Sequence, residues 1–273
     1  MGIAYNYKVA FFCITTKTMM HVGAGGENFW IIDKLIQRDE TTNLPCINST
    51  SLKGALREFM RDYLSSDGNK INGKSWATIL FQIFGNDRSD IEKKEVESIL
   101  KEVAKDLNID ANKWKDIDIA GDFRILPAEL LSIPTLKEDK IQHIISCNWI
   151  KDNLQDKLDL FSCELANGNT IDKIVKADEY LSEIDFSEKV DDYNLPVIAR
   201  NHLEDGTSTN LWYEQVLPRA TKMIFPVVYN DEELFEIFKE AITSYPIQIG
   251  ANASVGYGFC KIDFIETTLK NKL

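Results

Sequence analysis

The chain has 273 residues, 44% of them hydrophobic and 27% charged, with a formal net charge of −12 and a pI near 4.8. That length suits a single domain over 1–273, built as a core with sizeable insertions, and no run approaches the ~18 apolar residues of a membrane span. The acidic total argues against an all-over polyanion-binding surface, because phosphate neutralisation supplies most non-specific affinity for nucleic acid.

The N-terminus, Met1-Gly2-Ile3-Ala4-Tyr5-Asn6-Tyr7-Lys8, lacks the basic start, apolar middle and small-residue cleavage site of a secretory signal. A cytoplasmic protein with no membrane partner is therefore expected. The five cysteines, Cys13, Cys46, Cys147, Cys163 and Cys260, are odd in number and never spaced as CxxC, which argues against a disulfide framework or a zinc ribbon. Acidic residues gather over Asp87–Asp118 and Asp178–Asp192. Basic ones recur at Lys53, Arg57, Arg61, Arg124, Arg200, Arg219 and Lys222. Such a distribution allows a local basic groove on an acidic molecule.

In chain order, Tyr7–Thr16 is β-branched and aromatic and predicts a buried strand. The glycine-rich stretch His21-Val22-Gly23-Ala24-Gly25-Gly26 follows, then the apolar run Phe29–Ile32. From Ser51, the positions Leu52, Ala55, Leu56, Phe59, Met60 and Tyr63 fall on one helical face, with Ser51 or Thr50 as the expected N-cap. Ser75–Phe84 predicts a short helix ended by Gly85, and Ile91–Leu107 a charged amphipathic one inside a surface insertion. Ile117–Leu126 returns to strand character, while Lys137–Leu158 mixes apolar and charged residues at helical spacing. Leu195–Arg200 and Leu211–Leu217 predict two short strands around the polar turn Glu204-Asp205-Gly206-Thr207-Ser208. Met223–Tyr229 predicts a strand, Asp231–Tyr245 a helix capped by Asp231, and Gly258–Ile265 a last strand. Strand, helix, strand, then strand, helix, strand outlines a ferredoxin-like α+β core.

Two stretches suit a phosphate backbone. Around Ser51-Leu52-Lys53-Gly54-Ala55-Leu56-Arg57, small residues open a helix whose free amides and dipole favour an anion, and Lys53 and Arg57 share a face. The alternative is an ordinary capped helix with solvated basic residues. In Ile249-Gly250-Ala251-Asn252-Ala253-Ser254-Val255-Gly256-Tyr257-Gly258, glycines permit close backbone approach, and Tyr257 can stack on a base or simply pack. Here the alternative is a glycine-bearing hairpin. No HExxH or GxSxG motif is present, and His143 and His202 stand apart from any nucleophile. Trp30, Trp76, Trp114 and Trp149 are expected in the core.

Taken together, the order of apolar strand, His21-x-Gly23, Ile32-Asp33, Leu44-Pro45, Ser51-Leu52-Lys53-Gly54-x-x-Arg57 and a C-terminal Gly256-Tyr257-Gly258 resembles the RAMP superfamily. Asp122-Phe123-Arg124-Ile125-Leu126-Pro127 is similar to that family's Asp-x-Arg-Leu-Leu segment. Leu195–Arg200 and Leu211–Arg219 resemble the Cmr-type backbone subunit of type III-B CRISPR effectors, with the Csm-type III-A subunit as the close alternative.

The resemblance implies a ferredoxin-like, RNA-recognition-motif-like palm, a helical insertion near 65–115 and a β-hairpin thumb near 193–220. It implies a subunit that stacks with further copies of itself and with other type III effector subunits along a CRISPR guide RNA, and acts on complementary target RNA. It assigns Ser51, Lys53, Arg57, Arg200 and Arg219 to RNA binding, with Gly250, Gly256, Tyr257 and Gly258 in the loop that passes the RNA. Asp33 becomes the residue needed for target cleavage, holding Mg²⁺ or Mn²⁺ as metal ligand or helping to deprotonate a ribose 2′-hydroxyl. His21 and Glu214 join it as catalytic candidates, although Val216 stands where some relatives carry an aromatic residue. A non-catalytic scaffold and a guide-processing endoribonuclease with His21 as base are the competing expectations.

Overall fold

The computed structural model describes residues 7–25, 32–66, 71–86, 95–137, 140–145, 148–166, 168, 170, 173–174, 183–185, 195–204 and 207–270. The chain opens with β1 (Lys8–Thr16), buried on both faces after its first two residues. Next come β2 (Cys46–Ile47), α1 (Ser49–Ser66), α2 (Trp76–Phe84) and α3 (Val96–Asp106). A 3₁₀ turn over Ala111–Asp116 leads into β3 (Arg124–Ile125), β4 (Ala128–Lys137) and β5 (Lys140–Ile145). Then follow α4 (Asn148–Leu160), β6 (Cys163–Leu165), β7 (Glu183–Asp185), β8 (Val197–Glu204) and β9 (Thr207–Gln215). The C-terminal part holds β10 (Lys222–Tyr229), α5 (Glu232–Ser244), β11 (Ile247–Gln248), β12 (Phe259–Ile265) and β13 (Thr267–Leu269).

The main sheet runs β11-β12-β1-β10-β4-β5-β7. Each of its central strands β12, β1, β10 and β4 is antiparallel to its neighbour, with α1 placed between β1 and β4 in sequence and α5 between β10 and β12. This is the ferredoxin-like arrangement expected from the sequence. Phe12 of β1 packs against Phe225 and Phe264 of neighbouring strands and against Phe235 and Phe238 of α5. From α1, Leu52, Leu56, Met60 and Leu64 close the same core, joined by Ile79 and Leu80 of α2 and by Leu100 and Val103 of α3.

Asp231 caps α5 as expected, accepting from the Glu233 and Leu234 amides, and Ser75 and Gly85 bound α2. Four of the five cysteines are free and buried. Among the described residues no helix is long and apolar enough to cross a membrane.

The structure departs from the sequence expectations in four places. Helix α1 opens at Ser49, and the Leu52 amide bonds the Asn48 carbonyl. Thr50 and Ser51 therefore lie inside the first turn, and Ser51 spends its hydroxyl on Gln37. Strand geometry in Ile117–Leu126 is confined to Arg124–Ile125, because the Asp122 and Phe123 amides instead bond the Gln82 and Ile83 carbonyls of α2. Residues 137–158 hold the end of β4, β5 and α4 rather than one helical pattern. Trp149 is exposed, whereas Trp76 and Trp114 pack half-buried against the core. Trp30, Gly26, Ile31, Cys147 and most of the acidic 178–192 stretch lie outside the described residues, as do Asp205 and Gly206 of the polar turn.

Strands β8 and β9 form a two-stranded sheet of their own, antiparallel from Val197↔Gln215 to Glu204↔Thr207. The hairpin projects: the first five residues of β9 are exposed, and burial begins at Glu214 and Gln215. Its base is thus anchored in the body, where the candidate residues gather.

Candidate functional site

Asp33 and Lys34 lie beside the base of this hairpin. Their successive amides both donate to the Tyr213 carbonyl at 3.1 Å, and the Gln215 amide donates to the Lys34 carbonyl at 2.9 Å. Lys34 and Glu214 form a parallel bridge. The exposed Asp33 carboxylate accepts from the Tyr213 amide through Oδ2 at 2.8 Å. One carboxylate oxygen is therefore fixed by the hairpin backbone.

Glu214 is 1% exposed and saturated with donors. Its Oε1 accepts from the Trp212 indole at 2.9 Å and from Lys34 Nζ at 3.2 Å. Its Oε2 accepts from Asn252 Nδ2 at 3.0 Å and lies 2.7 Å from Arg200 Nε, an ion pair rather than an aligned hydrogen bond. Burial would raise its pKa, but the Trp212 and Lys34 hydrogen bonds and the Arg200 and Lys34 charges outweigh this and hold it below the usual carboxylate range. The Arg200 guanidinium stacks 4.6 Å from the Tyr257 ring centroid. Lys34 Nζ sits 5.1 Å over Trp212. Three distant pieces of chain, the Asp33 segment, the hairpin and the glycine-rich loop, thus meet on one buried carboxylate.

His21 is 3% exposed, and its Nδ1 contacts the Gln215 carbonyl at 2.7 Å. Its backbone carbonyl accepts from the Ala251 amide at 2.8 Å. A Cβ on Gly250 would fall closer than 3.0 Å to that carbonyl, and Gly258 stands equally close to the Ile249 carbonyl. His21, Gly250 and Gly258 therefore fasten the glycine-rich loop to the body. Gly256 has open space around it.

A residue without motif signal ties α1 to this region. Gln37, almost fully buried, donates to the Gly23 carbonyl at 3.1 Å and to Ser51 Oγ at 2.9 Å, and accepts from the Asn48 amide at 2.7 Å. The first turn of α1 is so joined to the His21-x-Gly23 segment. Lys53 and Arg57 follow on α1, where burial and then the neighbouring Arg57 charge lower the Lys53 pKa. Exposed Arg219 lies in the turn after β9.

The sequence did not single out Lys34, Trp212, Asn252 or Gln37. Lys34 adjoins a named aspartate, and Trp212 stands two before Glu214 on one strand face. Asn252 and Gln37 carry no local signal.

Among the described residues no group of three or more His, Cys, Asp or Glu could hold a metal ion. Asp33 fits a hard divalent cation only as a single carboxylate anchor. Mg²⁺ is commonly held in that way, with water and phosphate oxygens completing its shell.

The curated relatives include the CRISPR system Cmr endoribonuclease Cmr4 of Pyrococcus furiosus, 25% identical, with the match covering 93% of this chain and 94% of that protein. Among solved structures, a chain of the type III-B Cmr-beta complex in its apo state matches with a TM-score of 0.62 at 17% identity, over 94% of this chain and 96% of that chain. The same complex bound to cognate target RNA gives 0.62 at 18% identity, over 94% and 97%. Oligomeric Cmr4 from Pyrococcus furiosus gives 0.53 at 15% identity, over 96% and 99%. These structures share the fold. The sequence pattern of the RAMP superfamily itself extends over residues 13–261, from within β1 into the start of β12, so this chain belongs to the RAMP superfamily.

Proposed function

We propose that this protein is a Cmr-type backbone subunit of a type III-B CRISPR ribonucleoprotein, which binds guide RNA and cuts complementary target RNA at Asp33. The observation that carries the reading is the placement of Asp33: an exposed carboxylate fixed to the hairpin backbone at Tyr213, beside a cluster where Glu214 gathers Lys34 and Arg200. A hairpin projecting from a palm suits insertion between short segments of duplex RNA, and the glycine-rich loop and α1 supply backbone amides and cations for phosphates. The similarity to an endoribonuclease and to a chain of a complex bound to target RNA supports the same reading.

In the reaction, the ribose 2′-oxygen attacks the adjacent phosphorus while the P–O5′ bond breaks. The products are a 2′,3′-cyclic phosphate and a 5′-hydroxyl, so no protein nucleophile is needed. Asp33 accepts or guides the 2′-hydroxyl proton, and its Tyr213 bond fixes its position. Mg²⁺ or Mn²⁺ on Asp33, when bound, would neutralise charge on the phosphate. Further copies and other type III subunits complete the complex. The ring of His21, 3% exposed and held by the Gln215 carbonyl, disfavours the guide-processing alternative.

Asp33→Ala in the assembled complex is the test. The expected outcome is loss of cutting with retention of guide and target. Cutting at unchanged spacing and rate would leave only the scaffold reading.

A further inference from the structure

We propose that Lys34 is the cation that receives the target-strand phosphate beside Asp33, and that Glu214 acts by holding Lys34 in place rather than by touching RNA. This rests on the reading of Asp33 as the cleavage residue. A carboxylate that approaches a phosphodiester meets a like charge, so a neighbouring cation is required for the encounter and for charge that builds in the transition state.

The geometry singles out Lys34. The Asp33 and Lys34 amides converge on one carbonyl, that of Tyr213. This marks a bend, so the alternation that sends adjacent side chains of an extended strand to opposite faces does not apply. Both head groups are held to one short run of β9. Asp33 bonds the Tyr213 amide, while Lys34 bonds Glu214 and lies over Trp212.

An ammonium group has three donors. Glu214 takes one, and the Lys34 side chain remains 53% exposed, so donor capacity is left for a phosphate oxygen. Arg200, the other cation on Glu214, is only 20% exposed and lies against Tyr257. Of the pair, Lys34 is the one open to a ligand. Glu214, 1% exposed and already bonded by four side chains, has no face left for substrate, and this makes it a positioning residue.

The test uses the assembled complex, guide RNA and a complementary target, with single-turnover cutting as the readout. A target carrying 2′-deoxyribose at the cut positions measures binding separately. Lys34→Gln is expected to slow cutting about ten- to hundredfold, with affinity for the uncleavable target changed less than about threefold and most of the rate restored by Lys34→Arg. Glu214→Gln is expected to slow cutting as well, and the double variant to be no slower than Lys34→Gln alone, because two residues acting through one charge are not additive. Wild-type cutting by Lys34→Gln while Asp33→Ala is dead overturns the Lys34 assignment and leaves the proposed function standing. Additive slowing in the double variant, or guide loss that Lys34→Arg does not restore, equally overturns it. Normal cutting by Asp33→Ala would sink the functional reading first and this inference with it.

Discussion

Gly256 and Gly258 are two residues apart with nearly the same positive φ, +83° and +79°, yet alanine should affect them very differently. At Gly258 a new Cβ would lie closer than 3.0 Å to the Ile249 carbonyl oxygen, 3.0 Å from its carbon and 3.1 Å from Gln248 Nε2. That backbone has little room to move. The Ile249 amide donates to the Gly258 carbonyl at 2.9 Å, and the Gly258 amide to the Met19 carbonyl at 2.8 Å. A left-handed alanine costs about 1–2 kcal/mol by itself, and displacing two hydrogen-bonded groups adds roughly 1 kcal/mol each. Gly258→Ala should therefore cost about 3–4 kcal/mol. At Gly256 nothing lies within 4 Å of the new atom, so only the conformational cost of about 1–2 kcal/mol remains. Urea unfolding of the purified chain measures both, as the shift in midpoint at constant slope. Equal losses would refute the close-approach argument. The contrast also has a functional use: guide binding by Gly256→Ala tests whether RNA meets the loop, whereas Gly258→Ala confounds that with damage to the fold.

Asp122 accepts from the Asn230 and Asp231 amides at 2.9 Å each and from the Asn230 side chain. Burial would raise its pKa, but these bonds and nearby Arg124 hold it below 3.8. Because the folded value lies under the unfolded one, the ionised carboxylate stabilises fully above about pH 4 and loses that contribution as pH falls through the folded value. Asp122→Asn should thus lose about 1–2 kcal/mol at neutral pH, with the gap to the natural chain closing in acid; thermal melts across an acid series that keep the gap constant would count against it. Neutralising Lys53 or Arg57 should lower the slope of log affinity against log salt for guide RNA by about 1, and a salt titration with unchanged slope would remove either from the phosphate contacts.

Local patterns carried most of the palm. The β-branched and aromatic run Tyr7–Thr16, the stripe Leu52–Tyr63 and the Asp231 cap each point to an element without help from distant residues, and the structure contains all three. Where the surroundings decided, local reading failed. Residues 140–145 are a strand because they pair with β4, and the Asp122 and Phe123 amides leave strand geometry because α2 carbonyls capture them.

The site divides in the same way. Family likeness marked Asp33, Glu214 and the glycine-rich loop in a chain whose net charge of −12 gave no hint of RNA. Sequence alone left Glu214 as a catalytic candidate and passed over Lys34 beside its named neighbour. Only the tertiary structure brings residues 34, 200, 212 and 252 onto one carboxylate. Hydrogen bonds between segments so far apart in the chain leave no periodicity or spacing to read, and they exist only once the sheet, the hairpin and the loop have closed around Glu214.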